Sequence, residues 1–263
     1  MSLYYRMRMQ LFDLHGKVAL VTGGNGGIGL GIARGLAQAG ADIAVAGRNT
    51  QKTRAAVEEL GCLGVRAVGV QTDVADAQQV RNMVTETVAA LGGVDILVAN
   101  AGTSIRKQPE DYDLAEWSMI LATNLTGVFA CCLAVHPELK RRGGGKILTI
   151  GSMTSLFGLD MAAPYTATKG GVMQLTKSLS SAWAKHNIQV NCILPGWIDT
   201  ELTQGARQVR PGLHDTVVDR TPLKRWGQPQ DLAGAAVFLC SPASDFVTGV
   251  ALPVDGGFSS SMF

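Results

Sequence analysis

Three side chains in the second half of the chain have the types and spacing for proton transfer at an alcohol or carbonyl oxygen. Tyr165 and Lys169 are four residues apart, which puts both on one face of a helix. A phenol titrates near ~10 when unperturbed, and a neighbouring ammonium favours the phenolate. A tyrosine tuned in this way can give and take a proton near neutral pH. Ser152 follows an apolar run that reads as a strand, and its hydroxyl can bond the same substrate oxygen. The competing assignment makes Tyr165 a packing residue and Lys169 a surface cation. It leaves Ser152, placed ahead of them and behind a nucleotide-type loop, without a reason.

That loop is Thr22-Gly23-Gly24-Asn25-Gly26-Gly27-Ile28-Gly29. Its glycines let backbone approach a pyrophosphate at the start of the following helix, so Gly23, Asn25, Gly27, Ile28 and Gly29 are read as cofactor-binding. One G-x-G-x-x-G match in a chain with 32 glycines is about an even bet. The signal is its position, between the first strand and the first amphipathic helix. A dinucleotide fold often carries an acid at the end of its second strand for the ribose 2′-hydroxyl. Here Gly47 takes that place and Arg48-Asn49 follow. Gly47 removes the repulsion a 2′-phosphate would meet, and Arg48 can pair with it, so NADP(H) is favoured over NAD(H). The alternative is that Arg48 is an ordinary cation ahead of a helix. Asp73, with Val74, follows the third strand and can accept from an adenine amino group, or else cap the next helix. Asn100-Ala101-Gly102 follows the fourth strand, where small residues let the chain pass close to a cofactor.

The elements that must position these residues alternate. Apolar runs at 18–21, 43–46, 65–70, 96–98, 147–150, 189–193 and 250–254 read as strands. Between them, Ile28, Ile32, Leu36 and Ala39 recur at helical spacing, as do Val80, Val84, Val88 and Leu91. Val57 and Leu60 mark a short helix. One long helix is expected over 114–141, another over 165–185 and a last one over 230–239. Residues 200–228 show weak periodicity and read as an irregular stretch, with a substrate lid near 200–220. The pattern implies an α/β fold: a single-domain, doubly wound, Rossmann-type fold over 13–263, its seven-stranded, mainly parallel sheet covered by helices on both faces. Residues 1–12 read as a flexible extension. Met1 to Gln10 carry no apolar segment behind their two arginines, so no signal peptide is expected.

Composition narrows the function classes. The chain has 263 residues, 46% hydrophobic and 17% charged, with a formal net charge of +2. Such a chain buries a large core and is not disordered. Near-neutral charge argues against a nucleic-acid partner. Five cysteines without C-x-x-C spacing and four scattered histidines suggest neither a disulfide framework nor a metal centre, and fit a reducing cytoplasm. Residues 117–137 contain no Asp, Glu, Lys or Arg, but Ser118, Thr123, Asn124 and Thr126 interrupt them, so a buried or interface helix is expected rather than a membrane span.

Together these pieces resemble the short-chain dehydrogenase/reductase family over about 14–258. The resemblance rests on the glycine loop, Asp73, Asn100-Ala101-Gly102, Asn124, Ser152, Tyr165 with Lys169, Pro195-Gly196 with Thr200, and Asp255-Gly256-Gly257. Ala99 stands where the family often has a second Asn. The resemblance implies hydride transfer between nicotinamide and a hydroxyl or carbonyl carbon. Tyr165 would move the proton, Ser152 orient the oxygen, and Lys169 hold the nicotinamide ribose. Asn124 would position a water linking Lys169 to solvent, or be a polar residue accommodated in a helix kink. Pro195, Gly196, Ile198 and Thr200 would hold the carboxamide. A homotetramer is also implied, with helix 117–137 and the Tyr165 helix at an interface.

Residues 183–188, 195–197 and 225–229 further resemble the sugar-acid subgroup of gluconate and deoxygluconate dehydrogenases. Substrate choice is expected to lie with Ser104, Ile105, Arg106, Thr154, Leu159, Trp197 and the lid. Arg106 and Lys107 can meet a carboxylate at the pocket mouth, or form a solvated cation pair. The alternatives are a general ketone or alcohol dehydrogenase, a 3-oxoacyl-thioester reductase that docks its carrier on Arg207 and Arg210, and a non-catalytic nucleotide sensor. A sensor need not keep Ser152, Tyr165 and Lys169 together.

Overall fold

The structure is a computed structural model that describes residues 11–261. Seven strands form one sheet in the order β3-β2-β1-β4-β5-β6-β7, and every neighbouring pair is parallel. The strands are β1 (Val18–Thr22), β2 (Asp42–Gly47), β3 (Ala67–Gln71), β4 (Ile96–Ala99), β5 (Gly145–Ile150), β6 (Ile188–Pro195) and β7 (Ala251–Val254). The helices are α1 (Gly27–Gln38), α2 (Thr50–Gly61), α3 (Ala77–Leu91), α4 (Leu114–Leu121), α5 (Gly127–Arg141), α6 (Ala163–Trp183), α7 (Glu201–Val209), α8 (Leu213–Arg220) and α9 (Ala233–Cys240).

The continuous apolar runs become strands because both faces of the sheet are covered. Alternation divides each strand between two cores. Val18 and Leu20 face a layer built from α3, α5 and α6, including Val80, Cys132, Val135 and Val172. Ala19 and Val21 face the opposite layer, with Ile32 and Leu36 of α1 and Leu239 of α9. β1 pairs with β2 on one side and β4 on the other, so the direction of winding reverses there and leaves a crevice at the strands' C-terminal ends.

The expected long helix over 114–141 is present at full length, and a π turn, Ala122–Thr126, lies within it between α4 and α5. The extra residue in such a turn bulges from the ladder and redirects a side chain, here Asn124. This segment has a mean hydropathy of 1.8 and is long and apolar enough to cross a membrane by length and composition alone. In the fold Ile120, Val128, Cys131 and Leu139 are buried in the protein, while Trp117, Met119, Phe129 and Leu133 are exposed. One expectation is corrected: the stretch 200–228 is not irregular, since it holds α7 and α8. Both helices are short, and they bury Ala206, Leu213 and Val217 against Trp226.

Residues 1–10 of the expected extension lie outside the described residues. Leu11 is tied down, its carbonyl accepting from Ala243 N at 2.9 Å. Cys131, Cys132, Cys192 and Cys240 are buried and Cys62 is exposed, all as free thiols. Burial pushes Cys131 and Cys240 up to about 12.

Candidate active site

The glycine loop joins β1 to α1, which begins without a capping side chain. Its first N–H groups lack helical partners and form a ready anion site. Gly29 must be glycine: a Cβ there would lie 2.2 Å from the Gly23 carbonyl oxygen and 2.5 Å from Asn100 Nδ2. Asn100 holds the loop from the β4 side, donating from Nδ2 to the Thr22 and Gly23 carbonyls at 3.0 and 3.2 Å. The Thr22 hydroxyl accepts from Asn100 N and Ala101 N at 3.0 and 3.1 Å. Thr22 and Asn100 thus lock the exits of β1 and β4 together. Sequence reasoning passed over Thr22, whose signal was a lone hydroxyl ending an apolar strand.

At the β2 end, the Arg48 side chain is 73% exposed and lies 3.9 Å from Asp73. Asn49 caps α2 by accepting from Lys52 N at 3.0 Å. Gly47 also makes room for a protein side chain. A Cβ on it would lie 2.4 Å from Asn25 Nδ2. Asn25 in turn donates to Thr53 Oγ1 at 3.0 Å, so its side chain braces the β2–α2 turn rather than reaching for a ligand. The cap of α3 is Asp76, which accepts from Gln78 N and Gln79 N at 2.8 and 3.1 Å. Asp73 accepts from Ala75 N at 3.0 Å and keeps a partly exposed carboxylate. Val74 is buried in the core beside Gly127. Lys52 reaches across to Glu201 at the start of α7, at 2.6 Å.

Ser152, Tyr165 and Lys169 meet at the C-terminal end of β5. Lys169 is 4% exposed and donates from Nζ to the Ile150 carbonyl at 2.7 Å. The same ammonium lies 5.6 Å from the centre of the Tyr165 ring. Ser155 joins the serine to the helix: its Oγ accepts from Ser152 N at 3.2 Å and donates to the Lys169 carbonyl at 2.7 Å. Nothing in the spacing of Ser155 marks it out, because it acts through a fold-dependent contact.

Asn124 is fully buried, and its amide is spent on protein. Oδ1 accepts from Thr103 N and Nδ2 donates to Thr103 O, both at 2.8 Å. Nδ2 also meets Thr168 Oγ1 at 3.3 Å, and that hydroxyl donates to the Tyr165 carbonyl at 2.7 Å. The Asn124 side chain is therefore a clamp between the β4 exit, carrying Gly102, and the Tyr165 turn.

A cleft of about 300 Å³ opens beside Ser152 and Tyr165, bordered by Arg106, Thr154, Leu159, Pro195, Gly196, Trp197 and the inner sides of α7 and α8. Gly196 N donates to Val254 O at 3.0 Å, and the Ile198 carbonyl accepts from Thr203 Oγ1 at 2.7 Å, which fixes the β6 exit. Thr200 faces Gly27 across the mouth of the crevice. The Thr154 hydroxyl is buried with no partner among the described residues. Tyr112 pins the loop carrying Ser104, Ile105 and Arg106, donating to the Ile105 carbonyl at 2.5 Å. The expected cation pair divides here. Lys107 is neutralised by Glu116 at 2.5 Å, whereas half-buried Arg106 enters the cleft without an ion-pair partner among the described residues. Burial pushes its guanidinium below its ordinary value. Arg207 is committed elsewhere, paired with Asp199 at 2.9 Å and stacked 3.9 Å from the Trp226 ring centre.

A family model described as enoyl-(acyl carrier protein) reductase matches residues 23–259. Relatives named as short-chain dehydrogenases share the fold at a TM-score of 0.92 to 0.93. The chain belongs to the short-chain dehydrogenase/reductase family. As a member it is an oxidoreductase acting between hydroxyl and carbonyl groups. It is 41% identical to a 2-dehydro-3-deoxy-D-gluconate 5-dehydrogenase of Dickeya dadantii, covering 96% of this chain and 99% of that one. It is equally similar, at 41%, to a gluconate 5-dehydrogenase of Gluconobacter oxydans, covering 96% and 98%. A gluconate 5-dehydrogenase of Burkholderia cenocepacia, solved with NADP and tartrate, is 42% identical with a TM-score of 0.92 and coverage of 97% and 100%.

Proposed function

We propose that this short-chain dehydrogenase/reductase interconverts a secondary hydroxyl and a ketone on a sugar acid with NADP(H). The observation that carries the reading is Arg106, a half-buried guanidinium without a carboxylate partner in the same cleft as Ser152 and Tyr165. An incoming carboxylate offsets the cost of burying that charge. The sugar-acid relatives support the same class.

The residues present fit the dinucleotide. The uncapped start of α1 suits the pyrophosphate, Arg48 the 2′-phosphate, and the carboxylate of Asp73 the adenine amine. Lys169 is placed to hold the nicotinamide ribose, and Pro195, Gly196, Ile198 and Thr200 the carboxamide. NADP(H), when bound, supplies or accepts the hydride. Tyr165 moves the proton at the substrate oxygen, and Ser152 donates a hydrogen bond to that oxygen. The Lys169 ammonium, fixed by the Ile150 carbonyl, offers positive charge to the Tyr165 oxygen as the proton leaves. Asn124 acts as a positioning residue through its clamp on Thr103 and Thr168.

The working form in this reading is a cytoplasmic homotetramer. Its thiols stay reduced there, and another subunit covers the exposed apolar side chains Phe129 and Leu133 of α5. A carrier-dependent thioester reductase fits less well, because Arg207 is already paired and stacked.

The test is a panel of gluconate, 5-ketogluconate, 2-dehydro-3-deoxygluconate, neutral ketoses and simple ketones, followed by nicotinamide absorbance with both cofactors. Turnover of the acids, faster with NADP(H), is expected. Arg48→Asp reduces the NADP(H) preference by about 10-fold or more, the worth of a charge-assisted contact to phosphate. Absence of turnover on every acid removes the substrate reading.

A further inference from the structure

We propose that the substrate carboxylate is clamped between Arg106 of the core and Arg210 of the lid, and that Asp160 occupies Arg210 until the substrate arrives. The inference rests on the acid-substrate reading above and adds a second cation and an internal competitor to it.

Arg106 stands on a loop fixed by Tyr112. Arg210 ends α7 in extended backbone, just before the Pro211-Gly212 turn into α8. The two guanidiniums therefore come from unlike supports, one rigid and one on the lid. Both border the main cleft, and both border a smaller cavity of about 20 Å³ behind it, together with Leu159, Trp197 and Leu213. Among the described residues, no Asp or Glu lines the main cleft, and the one acid on the smaller cavity is Asp160.

Asp160 holds Arg210 weakly. Their nearest atoms are 3.8 Å apart, beyond hydrogen-bond distance, and the two side chains are 49% and 65% exposed. Solvent screens such a pair, so it exchanges readily for a better one. The smaller cavity has two guanidiniums to one carboxylate, and the main cleft adds Arg220, which lies 4.6 Å over the Phe258 ring, so negative charge is lacking here and a substrate acid supplies it. α7 and α8 pack on Trp226 through only three buried side chains. A carboxylate bridging Arg106 to Arg210 would thus draw the lid onto the core, which no neutral substrate can do.

The signature is a pair of opposite effects. Arg210→Gln raises KM for the acid substrate by about 10-fold or more, the worth of a lost charge-assisted hydrogen bond. Asp160→Asn lowers the same KM by about 2- to 5-fold, the worth of an exposed ion pair removed as competitor. Arg210→Lys falls between wild type and Arg210→Gln. A merely structural Asp160–Arg210 pair would move KM in one direction for both substitutions, and that result, or no change in either, overturns the clamp. Arg106→Gln separates the two levels. If it leaves the acid KM unaltered, the acid-substrate reading falls as well. If it raises KM while the other two variants fail to diverge, only the clamp is lost.

Discussion

Lys169 does its work through where its amine is held. The Ile150 carbonyl fixes Nζ at the end of β5, and the four-residue helical spacing then sets the Tyr165 ring beside it. Spacing along one helix is written in the sequence, and so is a Ser at a strand end; this is why Ser152, Tyr165 and Lys169 are readable without coordinates. Thr22, Ser155 and Tyr112 are not, because each joins segments brought together only by the fold. The second demand on Gly47 was not legible, since the Asn25 side chain it accommodates comes from a different loop. Replacing Tyr165 with Phe keeps the ring and removes the proton. Turnover should fall by about 100- to 10,000-fold, the range for loss of general acid–base catalysis, while NADPH still binds by fluorescence titration. Turnover within a few-fold of wild type would remove Tyr165 from the proton step.

Among the elements, the π turn between α4 and α5 has the largest effect on the site. It costs one residue of regular helix and turns Asn124 inward, where the amide satisfies both main-chain groups of Thr103. The apolar pattern over 114–141 continues through this turn unchanged, so hydropathy alone reads a single helix. The lid helices escaped notice for a different reason, since they run for only 9 and 8 residues among charged, Gly and Pro residues. Asn124→Ala leaves the Thr103 N–H without its partner. A loss of about 1–3 kcal/mol in stability is expected, seen as a lower urea midpoint with an unchanged slope. An unchanged midpoint would show that Thr103 finds another partner and that the clamp is dispensable.

For the whole molecule, the low charge content reads as a sheet buried on both faces, with apolar surface left over. Leu133 and Phe129 remain exposed on the outer side of α5. Leu133→Glu should leave the fold intact by circular dichroism and shift sedimentation toward a smaller species. An unchanged sedimentation coefficient would place the interface elsewhere. The sheet order has a further consequence, in the history of the chain rather than its final form. β1 lies between β2 and β4, so one of its edges has no partner until residues 96–99 have been made. At about 5–20 residues per second, the roughly 50 residues after β2 take about 3–10 s to synthesise. During that interval a mainly apolar strand presents unpaired N–H and C=O groups, the kind of edge that pairs with a neighbouring chain. The emergence of β4 closes that edge and passes the open one to Ile96–Ala99, until β5 is made.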